Sequence, residues 1–199
     1  MRKRMLELLK KRRTQYALGR NLNFTEDALE ALIREAIRHS PSPFNSQSSR
    51  AVILLGDASQ RFWSIVREEL RTILAADMLE ASLDKINGFA AGVGTILFFE
   101  DQQTVHDLQK QWPLYADHFP VWSEQSGGMA QYAVWTTLAN AGVGASLQHY
   151  NPIVDAKVSE TWDVPSSWKL RAQMPFGSNE AAFPEKTFMP DEMRFRTHR

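Results

Sequence analysis

Gly142-Val143-Gly144-Ala145-Ser146-Leu147-Gln148-His149-Tyr150-Asn151-Pro152 is the stretch on which the reading of this chain turns. Small side chains let a ligand come close to the backbone. Leu147 suits the face of a planar ring, and the backbone at Gln148 and His149 offers donors. The same residues also suit a glycine-rich turn entering a strand, and on this stretch alone both readings stay open. Gly142-Val143-Gly144 lacks the third glycine of a dinucleotide fingerprint and reads as a helix C-cap with a tight turn.

Working outward, residues 126–141 read as a long core helix carrying Met129, Tyr132, Ala133, Trp135, Thr136, Leu138 and Ala139. Residues 145–147 read as a short strand and 168–174 as a longer one, with Phe195 in an extended basic tail. Toward the N-terminus, residues 1–13 read as a short helix with Met5, Leu6, Leu8 and Leu9 among basic residues. Thr25 has the character of an N-cap, with Glu26 and Asp27 in a first turn where negative charge is favoured. Leu29, Leu32, Ile33, Ala36 and Ile37 then recur at helical spacing. Residues 51–55 and 94–99 are buried-type strands. Between them, 59–79 reads as a helix with Phe62, Val66, Leu70, Ile73 and Leu74 on one face. A further helix at 103–111 stops near Pro113. Helices and strands mix without regular alternation and no repeat is visible. An α+β fold follows, a mixed or antiparallel sheet flanked by helices, as one domain over residues 1–199.

Of the 199 residues, 43% are hydrophobic and 23% charged, which suits one sizeable core. Formal net charge is zero, which argues against a nucleic-acid binder, even though the start of the chain is basic. There is no cysteine, so disulfides, thiolate metal sites and cysteine nucleophiles are excluded. The longest apolar run, 94–99, is too short to span a bilayer, and no long apolar stretch follows the basic start. The expectation is a cytoplasmic protein with no leader and no membrane partner. Nucleophile elbow, phosphate loop and zinc-helix motifs are all missing, and the five histidines are scattered without ligand spacing, so no metal and no catalytic side chain is assigned.

Three more polar segments carry chemistry. Arg12-Arg13-Thr14-Gln15-Tyr16 places two guanidiniums and a hydroxyl where a helix ends; such a pair grips a phosphate, or simply complements the helix dipole. Pro41-Ser42-Pro43-Phe44-Asn45-Ser46-Gln47 offers amides that suit the carbonyl and N–H edge of a heterocycle, or forms a capped turn. Arg194-Phe195-Arg196, if extended, aims both guanidiniums at one target; a solvated tail is the alternative.

Together, in this order and spacing, the four segments resemble the nitroreductase family over nearly the whole chain, and most closely its fatty-acid-repression-type subgroup. The resemblance is carried by Arg12-Arg13-Thr14, by Phe44-Asn45-Ser46-Gln47-Ser48 with Arg50-Ala51-Val52-Ile53-Leu54, by Gly94-Thr95-Ile96-Leu97-Phe98-Phe99-Glu100-Asp101 and, most specifically, by Ala145-Ser146-Leu147-Gln148-His149-Tyr150-Asn151-Pro152. It implies an α+β sandwich forming an intertwined homodimer, with FMN in the interface. Arg12, Arg13 and Thr14 of one protomer would meet the FMN phosphate, ribityl chain and flavin edge. Arg194 and Arg196 would complete the phosphate site, and Leu147, Gln148 and His149 would lie along the ring. Pro41, Ser42, Pro43, Asn45 and Gln47 would come from the other protomer, and Lys85 would reach the pyrimidine end. Many members carry a basic side chain where Tyr16 stands, near flavin N1, and a glutamate where His149 stands. The implied activity is NADH- or NADPH-driven, ping-pong reduction of a small electron-poor acceptor such as a nitroaromatic or quinone, with the chemistry at flavin N5. Phe44, Trp112, Tyr115, Phe119 and Trp122 either line the acceptor cleft or serve as core and dimer interface, and 111–122 is expected to act as a variable lid. The rivals are a non-catalytic, regulatory flavin-binding protein on the same fold and a nucleic-acid-binding module.

Overall fold

The computed structural model describes residues 2–199, with side chains from Met5 onward; Met1 of the expected first helix lies outside the described residues. α1 (Arg2–Lys11) ends with Lys10 and Lys11 against its negative dipole end, and Lys11 Nζ donates to Asn140 O at 2.9 Å. β1 (Leu18–Gly19) is followed by α2 (Glu26–Arg38), which starts where expected: Ala28 N donates to the Thr25 hydroxyl at 3.2 Å. β2 (Ser49–Leu55) runs directly into α3 (Gly56–Ile73), Gly56 supplying a positive φ at the corner.

The single helix expected over 59–79 is two helices. α3 stops at Ile73 and α4 (Ala76–Ala90) begins after two extended residues, Leu74 and Ala75. No glycine or proline marks the break. Leu70, Ile86 and Phe89 meet in one buried cluster, and a straight helix would carry the later residues away from it. Packing therefore overrides the local pattern.

β3 (Gly94–Asp101) is buried along its whole length, and α5 (Gln102–Gln111) leaves it with the Asp101 carboxylate accepting from Gln103 N. α6 (Phe119–Asn140) begins seven residues before the expected position 126, because Pro120 sits in the first turn, where its missing N–H costs nothing. The expected lid at 111–122 is accordingly divided: Gln111 ends α5, Pro113–Tyr115 is one tight turn that continues through 116–118, and only 119–122 opens α6. β4 (Gly144–Ala145), α7 (Asp155–Trp162), β5 (Trp168–Asn179) and α8 (Asp191–Arg194) complete the chain. β5 runs past Pro175, where a stop was expected; that residue lacks an N–H, but its carbonyl still accepts from Ser146 N.

The sheet order is β1-β5-β3-β2, with β4 also on β5, and every ladder is antiparallel. Among the described residues the parallel component is one isolated bridge, Thr14 to Ala145. Alternation along β3 feeds two cores: Leu97 and Phe99 join Phe62, Trp63 and Val66, while Ile96 and Phe98 join Leu29, Ile33, Val134 and Leu138. On β5, Leu170 belongs to the first core, whereas Ala172, Met174 and Phe176 belong to the second. Strict alternation forbids that, and a bulge permits it. Phe98 pairs with Ala172 and Phe99 with Leu170, so Arg171 is the extra residue. The sheet is thus sandwiched between α3, α4 and α7 on one face and α2 and α6 on the other, the expected α+β class.

Candidate functional site

Three distant parts of the chain converge around the end of α1. Gln15 N donates to Ala145 O at 2.9 Å, which lays residues 12–16 beside the small-residue stretch after α6. From the other side, Glu180 N donates to Ala17 O, the Gln15 amide donates to Ala181 O at 2.7 Å, and an Arg13 guanidinium nitrogen donates to Pro184 O. Gln15 is the pivot. It is buried, its Oε1 accepts from Ala17 N, and it was not singled out in the sequence because polar neighbours hide it.

Arg12 lies half-buried with its guanidinium carbon 4.3 Å from the centre of the Trp135 ring. That stacking fixes the plane of the cation. Its Nε is buried with no hydrogen-bond partner in the described chain. A buried donor left open is costly, so a fixed cation with a spare N–H suits an anionic ligand. Thr14 is exposed beside it. Tyr16 is 56% exposed, with its ring edge on Phe89 at 5.8 Å, and its carbonyl lies where a side chain on Gly88 would stand. Lys85 is exposed one helical turn before Phe89 on α4.

In the 145–149 segment, Leu147 is half-buried and His149 exposed. Gln148 differs from expectation. Its N–H donates to Gln173 O at 2.7 Å and its carbonyl accepts from Gln173 N at 2.9 Å, so both backbone groups are spent inside the sheet. Its side-chain amide donates to Ser146 Oγ. Gln173 also accepts from Tyr150 N at 2.7 Å through its own side chain. The sequence signal for this organising residue is only an amide set between the apolar Ala172 and Met174 on β5, and it was not singled out.

The expected pairing of Arg194 and Arg196 on one extended segment does not form. Arg194 closes α8, a single turn started by Asp191 and Glu192, and the Arg196 guanidinium donates to Glu192 O and Phe195 O. Both side chains are exposed, and among the described residues no hydrogen bond joins either to residues 12–16.

Residues 41–47 stand elsewhere. Pro41, Ser42, Ser46 and Gln47 line a cavity of about 690 Å³ together with Arg34, Arg38 and Trp168. None of residues 12–16, 147–149, 194 or 196 reaches that cavity. Phe44, Asn45 and Gln47 all have φ near +50°, a region non-glycine residues rarely adopt. Phe44 is half-exposed against Trp112 at 5.3 Å, Tyr115 at 6.1 Å and the fully buried Phe119 at 5.5 Å, and Trp122 stacks on His118. At the loop exit, Arg50 pairs with Asp101 at 2.9 Å. Burial alone would push the Asp101 pKa up; hydrogen bonds from Ser167 and Thr104, the Arg50 charge and Gln103 N–H outweigh it and hold it below the ordinary value.

Among the described residues, no group of three or more His, Asp or Glu stands in an arrangement that would hold a metal, and no helix is long and apolar enough to cross a membrane.

Residues 9–178 match the model of the nitroreductase family. The chain is 33% identical over 186 residues to the nitroreductase FRM2 of Saccharomyces cerevisiae, covering 92% of each. It is 50% identical to the nitroreductase CinD from Lactococcus lactis, solved in complex with chloramphenicol, with a TM-score of 0.90 over 98% of this chain and 100% of that one. A nitroreductase structure from Saccharomyces cerevisiae is 31% identical, with a TM-score of 0.76 over 88% and 95%.

Proposed function

Since this chain belongs to the nitroreductase family, we propose that it is an FMN-dependent oxidoreductase that takes hydride from NADH or NADPH and reduces small electron-poor acceptors, nitroaromatics or quinones, in ping-pong order. The observation that carries the reading is the convergence at the end of α1: a cation fixed on Trp135 with an unpartnered buried N–H, next to an exposed hydroxyl and a stretch of small residues. Those donors fit a phosphate and the polyol chain behind it. Bound there, FMN supplies hydride transfer at its N5.

The chain's own residues bind, orient and exclude water. Arg12, Arg13 and Thr14 hold the phosphate and ribityl end, joined by Arg194 and Arg196 as the tail settles. Leu147 packs on the ring, with Gln148 acting through its side chain and His149 and Tyr16 at the edge. No side chain is needed as nucleophile. Pro41, Ser42, Pro43, Asn45 and Gln47 come from the second copy of a homodimer. Support for a shared site lies in Pro41, Ser42 and Gln47 lining a cavity that none of residues 12–16, 147–149, 194 or 196 reaches. Met129 and Tyr132 on α6, and Phe183, Phe188, Met189, Met193 and Phe195 on the tail, are exposed apolar surface that a second copy would cover. CinD has also been solved in complex with 4-nitrophenol and with nicotinic acid. A nitroaromatic ring and a pyridine ring are the shapes that acceptor and donor would present here. The setting is cytoplasmic, with no membrane or nucleic-acid partner.

The test is the purified protein's colour. It is expected to carry near-stoichiometric FMN and to oxidise NADH or NADPH when 4-nitrophenol or menadione is added. A colourless protein that binds no added FMN would end the reading; flavin held without turnover would leave a regulatory flavin-binding protein.

A further inference from the structure

Glu100, next to last in β3, is 1% exposed. A buried carboxylate is costly unless its lone pairs are filled. Three hydroxyls fill them. Ser48 Oγ donates to Oε2 at 2.7 Å, Ser49 Oγ to Oε1 at 2.5 Å and Ser123 Oγ to Oε2 at 2.6 Å. Two of these donors leave the 41–47 loop and one comes from α6. The helix is shaped to admit the group: a side chain on Gly127 would stand 2.7 Å from Oε1. Apolar groups in place of the carboxylate and its serines together would avoid the desolvation cost, so the cluster is better explained by the geometry it imposes than by stability.

The loop that ends at Ser48 needs such a fixture. Phe44, Asn45 and Gln47 sit in the left-handed region without being glycine, and such residues persist only when their surroundings over-determine them. Phe44 leans on Trp112, Tyr115 and Phe119, but Pro41, Asn45 and Gln47 are exposed and outside the hydrophobic core. What holds their backbone is polar. Ser42 Oγ accepts from Gln47 N at 2.9 Å, and the Arg50 guanidinium, itself paired with Asp101, donates to Gln47 O. Glu100 fixes the two residues that follow.

We propose that Glu100 is a positioning residue of the flavin site, acting through the Ser48 and Ser49 hydroxyls to set the conformation of the 41–47 loop. The inference rests on the reading above that this loop forms one wall of the site. A wall displaced by even part of an ångström loses directional hydrogen bonds, so the effect appears in cofactor affinity.

The experiment compares donors on the two sides of one carboxylate. FMN is titrated into flavin-stripped full-length protein, following quenching of FMN fluorescence, for wild type, S48A/S49A, S49A, S49T and S123A, with the melting temperature of each apo-protein recorded. S48A/S49A is expected to raise the FMN Kd at least tenfold and S49A several-fold. S49T, which keeps the hydroxyl, and S123A, which removes only the helix-side donor, should stay within about twofold of wild type. If wild type binds FMN and the loop-side variants bind it equally well, or S123A weakens binding as much as S48A/S49A, the proposal is overturned. Should S48A/S49A fail to fold, the S49A and S49T pair decides alone. A wild-type chain that binds no FMN removes the flavin reading itself, and this inference with it.

Discussion

Asp101 and Gly127 show how single residues near the loop are constrained by their neighbours. The Asp101 pKa is depressed in the fold, so its stabilising share is present above the ordinary carboxylate pKa and is lost as pH falls through the folded value. D101N is expected to cost on the order of 1–3 kcal/mol at pH 7, and the gap from wild type should narrow in urea titrations taken below about pH 4. A gap unchanged down to pH 2 would show that the carboxylate charge is not what Arg50 and Thr104 engage. At Gly127 two effects oppose each other. Alanine gains roughly 0.5–1 kcal/mol in a helix interior, but its methyl would press on a carboxylate fixed by three hydrogen bonds. Overpacking of that kind costs about 1–3 kcal/mol. G127A should therefore melt lower than wild type, and a higher melting temperature would mean that Glu100 yields easily.

At the scale of elements, helix starts differ in what caps them. Thr25 caps α2 with its hydroxyl, while Ala75 stands at the same position of α4 with extended backbone and nothing to offer. T25A is expected to lose about 1 kcal/mol, and A75S to gain a similar amount; equilibrium denaturation of both checks the pair. The legibility of the elements follows the same physics. Thr25 with Glu26 and Asp27 announces a start by local chemistry, and it was readable. The break at Leu74 and Ala75 has no local chemistry, because it exists to bring Ile86 and Phe89 back onto Leu70. Likewise β5 could be traced only to Met174, since what lies beyond is held by strands from elsewhere in the chain.

For the whole molecule, the proposed site requires two copies, and complementation tests that. One chain carries R12A/R13A and another S42A/N45A; each alone should fail to retain FMN. Mixed and refolded together, they form heterodimers in which one site has both walls intact. Up to about a quarter of the wild-type flavin content is then expected, since half of the dimers are mixed by random pairing and each holds one good site of two. No recovery in mixtures shown to contain heterodimer would place both walls in one chain. Sedimentation of wild type should give twice the 22.7 kDa chain mass.

The sequence by itself determined which segments carry polar function, that helices and strands mix as α+β, and that Arg12, Thr14 and the stretch after Gly144 belong to one family pattern. Those features are written in local residue type and order. Only the tertiary structure decided that Gln148 spends its backbone on Gln173, that Arg194 ends a helical turn instead of aligning with Arg196, and that Glu100 gathers three serines from two elements. Hydrogen bonds and bulges between residues far apart in the chain have no signature in local pattern, because each partner alone fits many surroundings. The Arg171 bulge, which moves Leu170 to the opposite core, is set by packing across β3 and β5 and by nothing adjacent to it.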